Sequence, residues 1–351
     1  MRRIIIFVFA AVLLWGCGKT VESTTSEINK LYFDSWVSIQ KQKHPEYVWK
    51  QTSLGAWILE DKEGTGEALG EFDDSLYLRV NYTYSDFDGT ISATTSEKVS
   101  QQLGDYNETY YYGPEIWYAN SIYAGLEDLL KGMKRGGRRK VAIPGWLQTS
   151  ERCATPEEYL ALASDKVGSN FICDIELVDY FRYVNEWELD SISRYLVRNY
   201  ARHYGTDAAK ARGDSAGAHG FYYIRDLAPS DTVTFRDTTV YINYIGRLLN
   251  GSVFDTNIRD TAMFHGIFSA SRTYGPVAIN YGSVWSDITM GSDSGDVIKG
   301  FARTLSVMKA YERGTGIFYS PLGYTYNGSG GKIPPYSPLR FDVEIVDEPK
   351  K

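Results

Sequence analysis

The sequence has little of what usually carries covalent or metal chemistry: three cysteines and four histidines in 351 residues. His44, His203, His219 and His265 are scattered without ligand spacing, so no metal site and no cofactor is expected. Cys173 lies in "NFICDIELV", where alternation turns it inward with Phe171 and Ile175. A disulfide to Cys153 and a buried free thiol both remain open. Basic runs are also missing. The formal charge is -7, and beyond the short "KRGGRRK" at 134–140 no Lys/Arg cluster is sustained, which excludes a nucleic-acid footprint and leaves that stretch as a solvated turn.

Apolar content is not lacking. At 43% hydrophobic, the chain is long enough for two domains with separate cores. Arg2 and Arg3 precede an apolar run from Ile4 to Trp15, too short to span a bilayer and of the length of a secretory signal core. It ends in Leu14-Trp15-Gly16-Cys17, which resembles a bacterial lipobox. The expectation is a signal peptide over 1–16, a lipid on Cys17 and a Ser/Thr-rich tether over 17–26, holding an exported protein on the bacterial envelope. Gly18 after the cysteine points to the outer membrane, facing the periplasm. The competing reading is an ordinary signal peptide with an incidental cysteine.

The rest of the chain repeats itself. An amphipathic helix opens each half: "EINKLYFDSWVSIQ" aligns Ile28, Leu31, Tyr32 and Ile39, and "EWELDSISRYLVRNY" aligns Leu189, Ile192 and Leu196. A glycine-aromatic strand follows each helix, "LGAWILED" and "HGFYYIRD". Next come strands ending at Asp88-Gly89 and Asn250-Gly251, both hairpin signals. Further on, "GLEDLLKGM" stacks Leu126, Leu129, Leu130 and Met133, and "GFARTLSVMKAY" stacks Phe301, Leu305 and Met308. The halves close with "FICDIELVD" and "LRFDVEIVD". This order divides the chain into 27–180 and 181–347, each an α+β unit with an antiparallel sheet wrapped around one main helix and an extra helix in front.

In the second half, "VYINYIGRLLNGSVFD", "DVIKGF" and "GKIPPYSPLRFDVEIV" resemble, in that order, the FKBP-type peptidyl-prolyl cis-trans isomerases. The leading helices and the lipobox resemble exported FKBP lipoproteins of Bacteroidetes type. The resemblance implies a pocket. Tyr244, Asp255, Ile298 and Tyr324 would act on the substrate amide, and Phe254, Val277, Val297, Phe301, Ile333 and Phe341 would enclose its proline ring. Val277 stands where the family usually has an aromatic residue, Phe301 where most members carry Trp, and Lys332 replaces an apolar residue. In the first half Ser92 and Ala93 fall in place of Phe-Asp, no Ile-Pro-Pro follows, and Cys173 replaces the closing phenylalanine. Tyr82 and Leu126 persist, so this half is read as a degenerate copy that has lost its polar anchor and two walls.

The implied activity is isomerisation of X-Pro bonds in exported polypeptides, with proline-containing chains as partners and the membrane reached only through the lipid. The competing class is a non-catalytic peptide-binding module or chaperone, which the losses in the first half and Lys332 favour. A glycan-binding lipoprotein, suggested by the 15% aromatic content and the 28 tyrosines, has no motif of its own and ranks below both. Pro334 and Pro335 then have a purpose: they stiffen the loop that presents Tyr324 and Ile333, and the strand after them delivers Phe341.

Overall fold

The computed structural model describes residues 25–162, 167–204, 217–229 and 234–350. The expected signal segment, Cys17 and most of the tether lie outside them. The chain forms two antiparallel sheets with helices against them. In the first, Trp57–Lys62, Gly137–Ile143, Phe171–Arg182 and Leu76–Asp86 lie side by side in that order, and Ile91–Thr94 and Glu115–Tyr118 both pair with Leu76–Asp86. In the second, Phe221–Leu227, Arg313–Phe318, Leu339–Val346 and Thr238–Leu248 follow the same path, and Val253–Thr256 and Val277–Tyr281 both pair with Thr238–Leu248. We call these the first and second units.

The alternation in the closing strand is reproduced, with Leu339, Phe341, Val343 and Ile345 buried and the residues between them half-buried. Gly89 and Gly251 turn the two hairpins with φ of 94° and 97°, a conformation that a side chain would strain. Each sheet packs on a short helix, Ala124–Leu130 or Lys299–Val307. Leu126, Leu129, Leu130 and Met133 enter the first core, and Phe301, Leu305 and Met308 the second. Gly300 lets the second helix approach its sheet, since a Cβ there would lie 2.3 Å from the Phe318 ring.

The leading helices behave differently. In Val184–Asn199, Leu189, Ile192 and Leu196 are buried as the spacing predicts. In Thr25–Lys43 the expected face is wrong: Ile28, Leu31, Tyr32 and Ile39 are exposed, whereas Phe33 and Val37 are buried. Phe33 packs against Phe87 and edge-on to Trp146, with ring centroids 5.9 and 5.6 Å away. These partners decide which face goes inward. Cys173 and Cys153 are both free, Cys173 being fully buried. The Phe171–Arg182 strand continues past residue 180, and the helix opening the second unit starts at Val184.

The units touch through the loop after Arg313–Phe318. The Tyr111 N–H donates to the Gly331 carbonyl at 2.8 Å, and the Tyr336 ring stands edge-on to Tyr77 at 5.3 Å.

Candidate functional site

The second unit gathers all ten residues singled out in it. Tyr244 comes from the Thr238–Leu248 strand, and Phe254 and Asp255 come from its hairpin partner. Phe301 rises from the first turn of the Lys299–Val307 helix, and Phe341 from the closing strand. Phe341 is the hub, with centroids 4.7 Å from Phe301, 5.6 Å from Phe254 and 6.3 Å from Tyr244. These four rings and Ile333 are buried and form a floor. Val277, Val297, Ile298 and Tyr324 are only partly buried and pack at its margin. Gly246 sits under the floor, where a Cβ would lie 2.6 Å from the Phe254 ring.

One side of this apolar cup is polar. The Tyr244 hydroxyl donates to Asp255 Oδ2 at 2.7 Å. Arg272 closes the cluster: one guanidinium nitrogen pairs with Asp255 Oδ1, and the other donates to the Tyr244 hydroxyl at 2.9 Å. Burial pushes the Tyr244 phenol well above its ordinary range, and the adjacent Asp255 carboxylate adds to the shift. Burial works against the Arg272 charge, but its bonds to Asp255 and Tyr244 outweigh that and keep it a cation. The sequence reading missed Arg272. It lies seventeen positions from Asp255, in the long segment between the hairpin and Val277, with no local signal.

Two donors remain for a ligand. Ile298 caps the Lys299–Val307 helix, its carbonyl accepting from the Phe301 and Ala302 N–H groups at 3.0 Å each. Its own N–H has no partner among the described residues. The Tyr324 hydroxyl likewise has none, and burial raises its pKa. Tyr324 is placed by the 3-10 turn Ser320–Leu322, whose first residue is held from the leading helix. The Ser320 N–H donates to Glu188 Oε2 and the Ser320 hydroxyl to Glu188 Oε1, each at 2.6 Å. Ile333 is fixed by reciprocal backbone bonds with Ser329, at 2.8 and 3.1 Å.

Residues 280–346 match the model of the FKBP-type peptidyl-prolyl cis-trans isomerases. FK506-binding protein 1 of Dictyostelium discoideum is 30% identical over 109 residues, which cover 31% of this chain and 79% of that protein. The chain belongs to the FKBP-type peptidyl-prolyl cis-trans isomerase family. Two longer relatives match over a smaller share. The macrophage infectivity potentiator of Trypanosoma cruzi is 32% identical over 31% of this FKBP chain and 43% of its own length. A probable FKBP-type peptidyl-prolyl cis-trans isomerase of Haemophilus influenzae is 30% identical over 36% of this chain and 41% of its own. The FKBP chain thus spans less than half of these two relatives.

The first unit lacks the carboxylate of the second at the hairpin, where Ser92 and Ala93 stand. It is not without a polar anchor, which corrects the sequence reading. The Tyr82 hydroxyl donates to Glu115 Oε2 at 3.2 Å, from the strand Glu115–Tyr118 rather than from the hairpin. Burial raises the Glu115 pKa.

Proposed function

We propose that this chain is a peptidyl-prolyl cis-trans isomerase whose activity resides in the second unit. The observation that carries the reading is the cup itself: four buried rings flanked by the Tyr244-Asp255-Arg272 cluster, with the Ile298 N–H and the Tyr324 hydroxyl beside it without a hydrogen-bond partner among the described residues. Rotating an X-Pro amide meets a barrier of ~18–20 kcal/mol because resonance is lost in the twisted state. No covalent bond breaks. An acceleration of about a thousandfold needs only about 4 kcal/mol of preferential stabilisation of the twisted amide.

The proline ring would enter among Phe254, Val277, Val297, Phe301, Ile333 and Phe341. Excluding water there penalises the charge-separated planar amide more than the twisted one. The Ile298 N–H and the Tyr324 hydroxyl would hold substrate carbonyls, each bond contributing about 0.5–1.5 kcal/mol. Asp255, kept in place by Tyr244 and Arg272, would be the polar wall. The first unit, over 27–180, is read as a degenerate FKBP-like domain, and the second, over 181–347, as the isomerase domain.

The clients would be exported polypeptides with exposed X-Pro bonds, and the lipid on Cys17 would hold the enzyme on the periplasmic face of the outer membrane. Palmitate incorporation lost in Cys17→Ala tests the anchor. Isomerase exchange on a short X-Pro peptide, followed by NMR with the full chain, tests the site. Asp255→Leu combined with Tyr324→Phe is expected to abolish most of the acceleration, and unchanged exchange in the folded double variant would refute these roles.

A further inference from the structure

Two walls of the cup, Tyr324 and Ile333, belong to a loop that runs from the turn Ser320–Leu322 to the strand Leu339–Val346. Within it Thr325 and Tyr336 both adopt a left-handed backbone, with φ of 54° and 55°. The Tyr336 N–H donates to the Thr325 carbonyl at 2.9 Å, so the two are locked to each other. A β-branched and an aromatic residue keep that conformation only where their surroundings over-determine it. The second unit supplies part of this hold, since the Thr325 N–H donates to the Ser320 carbonyl at 3.0 Å.

The first unit supplies the rest. The Tyr77 ring, against which Tyr336 stands edge-on, is fixed in a ladder on the first sheet, 5.2 Å from Tyr118 and stacked on Phe181 at 6.1 Å. Tyr111 lies in the connection between the helix Glu97–Leu103 and the strand Glu115–Tyr118, and its ring packs against the second unit's core. Its N–H holds the Gly331 carbonyl, and its hydroxyl donates to the Pro114 carbonyl at 3.2 Å, which fixes the ring from its own side. Pro334, Pro335 and Pro338 close the remaining gap to Tyr111, Pro114 and Ile116, leaving a crevice of only ≈ 120 Å³. The points of hold are adjacent to the walls in sequence. Tyr336 is bonded to Thr325, the residue after Tyr324, and Gly331 is two residues before Ile333.

We infer that the first unit is a positioning module for the isomerase cup, in which Tyr77 and Tyr111 hold the 324–338 loop so that the Tyr324 hydroxyl and the Ile333 side chain face the substrate. Both are positioning residues and act through the loop. A unit without the hairpin carboxylate thereby still serves the reaction. The inference rests on the isomerase reading of the second unit, but the hold on the loop is measured without an activity assay.

The test has two readouts, both on the full chain. Hydrogen–deuterium exchange, read by mass spectrometry on peptides covering 324–338, is compared between wild type, Tyr77→Ala and Tyr111→Ala. Both variants are expected to speed exchange in this loop about tenfold and to leave the strands Phe221–Leu227 and Thr238–Leu248 as protected as in wild type. Isomerisation of a short X-Pro peptide is then measured in Tyr77→Ala, Tyr336→Ala and the double variant. Each single change is expected to lower kcat/KM about tenfold. The double variant is expected to fall no further, because both changes break the same contact. Unchanged loop exchange, or a rise spread equally over the second unit's strands, would overturn the inference. So would an unchanged rate in Tyr77→Ala, or a fall of about a hundredfold in the double variant, where the two residues would act independently. A wild type that does not isomerise the peptide would contradict the isomerase reading alone, and the exchange readout would still decide whether the first unit holds the loop.

Discussion

Glu188 ties the placement of Tyr324 to proton binding, and Glu188→Gln exposes that link. The side chain is 0% exposed and its partner in the structure is Ser320, at the head of the turn that leads to Tyr324. Burial raises its pKa from 4.5 to about 7, although both bonds from Ser320 pull the other way. The folded protein therefore keeps this proton while the unfolded chain has already released it. Stability from this group is undiminished below pH 4.5, falls as pH rises toward 7, and is flat above that. At 1.36 kcal/mol for each pH unit, the fall totals about 3 kcal/mol. Glutamine keeps an acceptor for the Ser320 N–H and cannot titrate. Urea denaturation of both proteins at pH 5 and pH 8 isolates this group, because other carboxylates cancel in the difference. The variant is expected to gain about 3 kcal/mol relative to wild type between the two pH values. A difference that stays constant across this range would refute the argument that the buried carboxyl holds its proton.

Three other outcomes follow from single contacts. Gly300→Ala drives a methyl into the Phe318 ring, which stacks on Phe341 at 5.9 Å, and is expected to cost about 1–3 kcal/mol in thermal denaturation; an unchanged melting temperature would contradict the packing. Arg272→Leu leaves Asp255 without its cation at a partly exposed site, so stability is expected to change by less than about 1 kcal/mol, while peptide isomerisation slows with Tyr244 and Asp255 no longer fixed. Equal isomerase rates in the variant would remove Arg272 from the site. Burial raises the Cys173 thiol well above its ordinary range, whereas Cys153 is partly exposed, so iodoacetamide at pH 8 is expected to modify Cys153 first; equal labelling by mass spectrometry would contradict the burial.

What could be read from the sequence was what is local in it. The strand Leu339–Val346 and the Lys299–Val307 helix each carry their burial pattern in a few consecutive residues, and the hairpin glycines mark their own turns. The ten pocket residues followed from a resemblance that fixes their order, and the fold brings them together. The misread face of Thr25–Lys43 has a different cause. That helix has apolar residues all round, and the choice between Leu31 and Phe33 depends on Phe87 and Trp146, far along the chain. Arg272 and Glu115 were missed for the same reason: each completes a hydrogen-bonded group across a loop or a neighbouring strand, and side-chain periodicity carries no information about such a partner.

The measurement that bears most directly on the account is proline-limited refolding of a reference protein in the presence of catalytic amounts of the full chain, wild type against Asp255→Leu. The account expects the wild type to accelerate the slow phase and the folded variant to lose most of that acceleration. Equal acceleration by both would contradict the placement of the isomerase in the second unit's cup, and no acceleration by a folded wild type would leave the family fold as a peptide-binding module.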